Sequence, residues 1–594
     1  MSCDGASVFT RLDWPRRGRY RRNVPSYNPM PMYAAADGSV AVGLTSAIEA
    51  ENASDFLSLA VDGPMHAPWD QLRAAIESAL RSHFASVSFV DMREHFVKWN
   101  RLQELTLTPE LHDDPDFARL PDLDLRALFD GLPELPDVDR GAVVIYGPGA
   151  ALTTARRLWY LDVPKRFAEA AVAAGRGRNL GQPEASGPPT FKRLFYIDWS
   201  LTDRHRDAIA SRIDRFIDGA PDERDGVPGF TSIDGPSLRE TLRTLSTSPI
   251  RTRPTFNTTT WGGHWAQDQL GMNPVAENTA LGYELIAPES GVLIGDAQAF
   301  VEVPFQMLVA QEALAVLGSR VRESFGTSFP IRFDYLDTVR GGNLSVHCHP
   351  QLDYMREVFG WPYTQHETYY MMVGGPDRKV FLGLRADVDV DAFHAEAHAA
   401  HHHGVEFDIE KYVQTFPANH HQLFVIPAGT PHGSGEGNVV LEVSATPYLY
   451  SLRFFDWLRR DAHGKQRPVH VEKAFENLNT HRTGIEVEQQ LVQNPRELRS
   501  GPGWNEQVLG QLPEMFFEVR RISVERDARA QDDTDDRFHV YNVVAGEAVE
   551  VSWGDGQTQT FAYAETFVIP ASVGTYSIRQ VGSGTVQLVK AVVR

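Results

Sequence analysis

Four side chains in the middle of the chain are of the right types and spacings to hold a metal ion. His347 and His349 stand two residues apart in Leu344-Ser345-Val346-His347-Cys348-His349-Pro350, Glu367 opens Glu367-Thr368-Tyr369-Tyr370-Met371-Met372-Val373, and His432 follows Ile426-Pro427-Ala428-Gly429-Thr430-Pro431. Both runs read as strands. Side chains alternate faces along a strand, so Ser345, His347 and His349 share one face and Cys348 takes the other. The Pro-Ala-Gly-Thr turn brings His432 to the end of a strand. Three imidazoles and one carboxylate suit one divalent ion: Zn2+ first, with Mn2+, Fe2+, Ni2+ or Co2+ compatible. A second histidine cluster, His394, His398, His401, His402 and His403, lies in an Ala-rich helical stretch and reads as a solvated helix face. His420 and His421 read as loop residues.

The elements around these residues fall into blocks. Residues 1–50 are rich in Pro, Gly and Arg, show no clear period and are expected to be irregular. Residues 51–250 alternate strand and helix patterns: strands at 56–61, 85–90, 141–146 and 157–163, helices at 69–83, 165–174 and 203–218, a loop at 178–190, and a polar linker to about 253. That alternation predicts an α/β domain with a parallel sheet. Residues 251–505 carry aromatic and β-branched strands, with helices expected at 305–325 and 388–416. Residues 506–594 have short strands, Gly turns and no helix, and Gly554-Asp555-Gly556 signals a hairpin. A chain of 594 residues exceeds one core, so several domains are expected.

The formal net charge of −21 disfavours nucleic acid and anionic membranes as partners. The basic stretch Arg16 to Arg22 lacks the apolar run of a twin-arginine leader and reads as an exposed arm. Cys3 and Cys348 are the two cysteines, too few for a disulfide framework, which points to a reducing, cytoplasmic setting.

From about Trp261 onward the motifs resemble the class I mannose-6-phosphate isomerases, a cupin-type (jelly-roll barrel) family. The resemblance rests on Trp261-Gly262-Gly263, Gly282-Tyr283-Glu284-Leu285-Ile286, Phe329-Pro330, Tyr335-Leu336-Asp337, the His347 segment, Phe424 to His432, and Arg453-Phe454-Phe455-Asp456-Trp457. It implies a metal-binding catalytic cupin with helical insertions, then a second C-terminal cupin barrel that contains Phe567-Val568-Ile569-Pro570-Ala571 but no metal histidine. It implies aldose–ketose isomerisation of mannose 6-phosphate through an enediol. In that chemistry Arg453 would stabilise developing negative charge and Glu442 would act as acid/base, while Ser345, Arg332 and Gln365 would contact the substrate.

The chain departs from the family pattern in three ways. His347 stands where the family usually has Gln. Asp334 and Gln365 stand where it places lysines for the sugar phosphate, although Arg332 shares a strand face with Asp334. An extra N-terminal domain begins Leu59-Ala60-Val61-Asp62-Gly63-Pro64, which resembles a uridine-kinase-like P-loop fold but has His66-Ala67-Pro68-Trp69 where Gly-Lys-Ser/Thr is needed. A degenerate kinase-like domain is therefore expected. Two other functions remain open on the residues alone: an isomerase or epimerase of an unphosphorylated or modified sugar, and a non-catalytic sugar-binding regulator.

Overall fold

The structure is a computed structural model that describes residues 25–36, 40–51, 56–135, 141–221, 229–460 and 464–594. Cys3 and the basic stretch at 16–22 lie outside the described residues. The chain is multidomain and strand-rich, with mixed sheets. Among the described residues no helix is long and apolar enough to cross a membrane.

The first large sheet has seven strands, in the spatial order Ala41–Val42, Thr231–Asp234, Arg215–Asp218, Arg157–Asp162, Phe56–Asp62, Gly141–Tyr146, Val87–Asp91. Its five-strand core from Arg215–Asp218 to Val87–Asp91 is parallel. Strands buried on both faces need continuous apolar runs, and Gly141–Tyr146 is buried at every position. At the carboxyl ends of the central strands the Asp62 carboxylate fills the crevice. It accepts the amides of Gly63 (2.7 Å), Gly149 (3.1 Å) and Ala151 (2.7 Å) and lies 2.8 Å from His205 Nε2. Gly63 must be glycine there, since a Cβ would come 2.2 Å from the Leu161 carbonyl oxygen.

Several local expectations are corrected. The helix expected at 203–218 ends at Ile209, and Arg215–Asp218 is a buried strand. The expected polar linker contains strand Thr231–Asp234 and helix Gly235–Leu245, which starts with Asp234 capping the Ser237 amide at 2.9 Å. The lead-in is not wholly irregular: Met32–Tyr33 pairs with Leu293–Ile294, and Thr45–Glu51 is helical. The helix expected at 388–416 stops at His403 before Gly404, whose positive φ ends it, and Val413–Ala418 is a strand. The hairpin Arg496–Gly501/Trp504–Gly510 joins the last sheet, so a boundary at 505 falls inside it. Short polar strands such as these are set by tertiary pairing, which local periodicity does not record.

The middle block is two facing sheets. One has six strands in the order Leu423–Ile426, Glu367–Val373, Val439–Ala445, Ile331–Asp337, Leu281–Leu285, Thr255–Asn257; the other has Val413–Ala418, Gly375–Leu384, His432–Ser434, Val346–Cys348, Leu452–Phe455. The C-terminal block repeats this plan with six and four strands. The register matches at the positions that matter. His539 faces Ile569 as Glu367 faces Ile426, Lys590 faces Tyr541 and Arg520 as Glu442 faces Tyr369 and Asp334, and Asp532 faces Tyr576 as His347 faces His432. In the C-terminal block these side chains close on one another. Asp532 Oδ2 accepts from Lys590 Nζ (2.6 Å), Tyr541 (2.8 Å) and Tyr576 (2.9 Å), and His539 Nδ1 lies 2.7 Å from the Tyr576 hydroxyl. The turn at Gly554-Asp555-Gly556 closes a hairpin, Ala548–Trp553 with Gln557–Ala562, as its glycines predict.

Buried charge joins the N-terminal sheet to the middle block. Glu302 receives both Nη atoms of Arg166 (2.7 and 2.8 Å) and Nη1 of Arg253 (2.9 Å), while its amide donates to Asp218 (2.8 Å). Burial alone would raise the Glu302 carboxyl, but the two guanidiniums more than offset it and hold it down to about 2. A depressed pKa gives stability that is full above the ordinary glutamate range and lost as pH falls toward 2. From 4.5 to about 2 this is roughly 3 kcal/mol. Glu302→Gln is therefore expected to lower unfolding free energy by about 3 kcal/mol at pH 7, with the difference shrinking near pH 3. Urea unfolding of both proteins at the two pH values checks this, and an equal difference at both would refute it.

Candidate metal centre and cavity

The three histidines come from the two central strands of the five-stranded sheet. His347 and His432 face each other across the ladder, and His349 follows at the strand end. Gly429, with a positive φ of 81°, turns the chain before His432, and its amide donates to the His349 carbonyl (2.8 Å), which ties the two histidine segments together. Glu367 reaches in from the opposing sheet.

The ligating atoms of His347, His349 and His432 lie within 4.8 Å of one another, and all three residues are buried. Each Nδ1 faces a backbone carbonyl: His347 to Ser345 (3.0 Å), His349 to Tyr450 (3.3 Å), His432 to Thr430 (2.8 Å). Those acceptors fix the proton on Nδ1 and leave an Nε2 lone pair turned inward. Glu367 Oε2 sits 2.5 Å from His349 Nε2, and Oε1 sits 3.4 Å from His432 Nε2. Burial lowers His347 well below the usual imidazole range and lowers His349. Burial would raise Glu367, but His349 and His432 hold it well below the usual carboxylate range. A cation between these lone pairs and the carboxylate would satisfy them together, and Glu367 Oε1 and His432 Nε2 are buried without a hydrogen-bond partner. The donor set fits a divalent ion. Among the described residues this is the one such cluster found. In the histidine-rich helix Val390–His403, His394 instead pairs with Glu472 at 3.1 Å.

The centre opens into a cavity of about 710 Å³, within the range of small-molecule sites. Arg453, paired opposite His347, lines it together with Ser345, Gln365, Arg332 and Glu442, so all the candidate residues meet in one place. Their partners differ from expectation. Gln365 Nε2 donates to Glu367 Oε2 (3.1 Å), turned toward a ligand rather than the open space. Arg332 donates to Ser444 (2.6 Å) and to Glu442, and lies 3.4 Å from Asp334. Arg453 donates to the Pro468 carbonyl (3.2 Å), while the nearby Asp456 is held by Arg459 (2.8 Å) and Arg467 (3.0 Å). Asp334, Glu442 and Glu367 crowd one floor with a single guanidinium. Burial first, then Glu367, pushes Asp334 up to about 6 against the pull of Arg332; burial also lifts Glu442 well above its ordinary value. Carboxyls raised in this way above their ordinary range are suited to general acid/base work.

Three features escaped the sequence. Asp334 joins the acidic floor, which its shared face with Arg332 already hinted. Arg467 lines the wall beside Arg453, with no motif to mark it. Residues of the N-terminal block, among them Asp116, Phe117, Phe195 and Tyr196, line the same cavity.

Residues 43–247 match a family described as a domain of unknown function (DUF8485). The chain is 25% identical over 220 residues to a mannose-6-phosphate isomerase of Streptococcus mutans, covering 37% of this chain and 64% of that protein. It is 25% identical over 237 residues to mannose-6-phosphate isomerase ManA of Bacillus subtilis, covering 39% and 68%. Among solved structures, the mannose 6-phosphate isomerase from Bacillus subtilis aligns at 21% identity over 58% of this chain and 99% of its own, with a TM-score of 0.45. The homologues of part of this chain are thus mannose-6-phosphate isomerases, and the chain spans just under two thirds of the first of these relatives.

Proposed function

We propose that the chain is a metal-dependent aldose–ketose isomerase that interconverts mannose 6-phosphate and fructose 6-phosphate. The observation that carries this reading is the buried His347/His349/His432/Glu367 set opening into a cavity that also holds Arg453 and two carboxyls, Asp334 and Glu442, that burial raises above the ordinary range, in a chain whose relatives are named mannose-6-phosphate isomerases. Those four residues would hold one ion, with Zn2+ the first candidate because three imidazoles and a carboxylate match its ligand preference. A bound ion would supply polarisation of the sugar oxygens.

The rest falls to the chain's own groups. Glu442, coupled across the ladder to Asp334, is the candidate that moves the proton between C1 and C2, with Arg332 setting its charge balance. Arg453 faces the space over His347 and would stabilise enediolate charge, since a guanidinium stays ionised throughout. Ser345 offers a hydroxyl at the cavity wall. Gln365 and Arg332 are better assigned to holding Glu367 and Glu442 than to the substrate. With Asp334 and Gln365 in place of lysines, the phosphate would lie toward Arg467, on the cavity wall beside Arg453. Burial first, then Arg467, lowers Arg453, and anionic charge on the sugar beside the two guanidiniums would relieve that repulsion.

A second reading, isomerisation of an unphosphorylated sugar, is favoured by Asp334 in the floor. Incubating metal-analysed protein with mannose 6-phosphate, and separately with mannose, in D2O separates the two. Ketose formation from the ester with deuterium at C1 of the ketose, and at C2 of the aldose re-formed from it, supports the first; turnover of mannose alone overturns it in favour of the second.

We also infer that the C-terminal block is a second cupin barrel that needs no ion, because Lys590 already supplies a cation to its Asp532. The N-terminal block is inferred to be a kinase-like domain without nucleotide binding. Asp62 already occupies the anion-accepting amides at its strand ends, and a phosphate there would meet a carboxylate.

A further inference from the structure

The middle block does not enclose its cavity alone. Two pieces of the N-terminal block fold over it: the loop 111–117 and the helical stretch that starts at Phe191. We infer that this block, the domain of unknown function, is the specificity wall of the sugar site, with Phe191, Phe195 and Tyr196 taking the carbon face of the sugar remote from C1 and C2. The inference deepens the proposed isomerase reading and rests on it for the identity of the sugar.

The wall is built rather than incidental. The helical stretch begins as α at Phe191–Arg193, widens to a π turn at Leu194–Asp198, and resumes as α at Trp199–Ile209. A π turn inserts an extra residue and frequently marks a functional site. Here it lets the consecutive residues Phe195 and Tyr196 both line the cavity. The turn is pinned from behind, where Asp198 Oδ2 accepts from Asn179 Nδ2 (2.8 Å) and the Leu180 amide (3.1 Å). It is pinned in front by the Tyr196 hydroxyl, which donates to the Leu449 carbonyl (2.8 Å) on the middle block.

The loop is fastened at both ends of its reach. Lys192 Nζ donates to the carbonyls of Leu111 (2.6 Å), His112 (3.0 Å) and Asp114 (2.6 Å), so its charge is spent on holding the loop. Asp114 then pairs with Lys473 (2.6 Å) on the middle block, and the Asp116 carboxylate lies 3.3 Å from His470 Nε2, whose amide donates to the Arg453 carbonyl (2.9 Å). The Phe117 ring packs on His470 at 4.8 Å. Aromatic faces opposite an acidic, metal-binding floor give the cavity one polar and one apolar side. A sugar ring has the same two sides, hydroxyls on its edges and C–H bonds on its faces.

The test uses the full chain with Phe191→Ala and Phe195→Ala, singly and together. Phe191 is 41% exposed, so its removal spares the core. Two readouts are taken: steady-state kinetics on mannose 6-phosphate, and the rate at which a chelator extracts the metal. The double variant is expected to raise KM about tenfold, with the change in KM rather than kcat, because lost apolar contacts weaken ground and transition states alike. Extraction is expected to be several times faster, because the centre loses its cover. Parent-like KM together with a parent-like extraction rate would overturn the wall. If the parent itself does not turn over mannose 6-phosphate, the substrate reading fails. The extraction rate alone then decides the wall, a parent-like rate overturning it and a faster one upholding it.

Discussion

His432→Ala is expected to reduce metal content from one ion per chain to near zero and isomerase activity to background. His432 contributes a lone pair that faces Glu367 Oε1 at 3.4 Å, and its loss leaves that oxygen without the group it faces. Changes merely to the partners of metal ligands cost 10- to 100-fold in affinity or activity, so removing a ligand is expected to cost more than about 100-fold. The fold should survive, because the strand His432–Ser434 stays paired on both sides. Elemental analysis after dialysis, alongside turnover, decides it. A variant that keeps both its ion and its rate would place the metal elsewhere and remove the basis of the proposed mechanism.

The second large effect belongs to Arg453. Arg453→Ala is expected to lower kcat by about 10²- to 10³-fold, the cost of one lost oxyanion donor, with metal content unchanged. The separation follows from geometry. Arg453 sits across the ladder from His347, yet its side chain bonds the Pro468 carbonyl and touches no ligand. Arg453→Lys should recover only part of the loss, since an ammonium cannot reproduce the planar fork. A normal kcat with a raised KM would instead assign Arg453 to the sugar phosphate.

The clustering of His347, His349 and His432 was legible because a set of metal ligands imposes strict spacing. His-x-His on one strand, a Glu on a second and a Gly-containing turn before the last His are all local patterns, and folding only had to bring three of them together. The parallel sheet was legible from buried runs such as Gly141–Tyr146. What the sequence hid was contact between distant segments. Arg215–Asp218 carries two charges in four residues, and it is a strand because Asp162 and Asp234 strands flank it, not because its pattern demands one. The motif places Gln365 among the substrate contacts, but its amide turns to Glu367 (3.1 Å), a matter of one rotamer. Nothing in Phe191-Lys192-Arg193-Leu194-Phe195-Tyr196 announces a cavity some 250 residues away in sequence; only the packed chain puts Tyr196 against Leu449.

Lys590 has a bearing on how the protein meets metal scarcity. In the middle block Arg332 balances Glu442 and Asp334, while the ion proposed beside Glu367 would be captured from outside; in the C-terminal block the matching positive charge, Lys590, is tethered covalently and cannot diffuse away. Depletion of divalent ions therefore strikes the two blocks unequally. Amide exchange with and without chelator should quicken in the strands around His347, His432 and Glu367, while the strands around Asp532 and Lys590 stay protected. A chain without the proposed ion would keep a finished scaffold at one end, against which the middle block could set once an ion arrived.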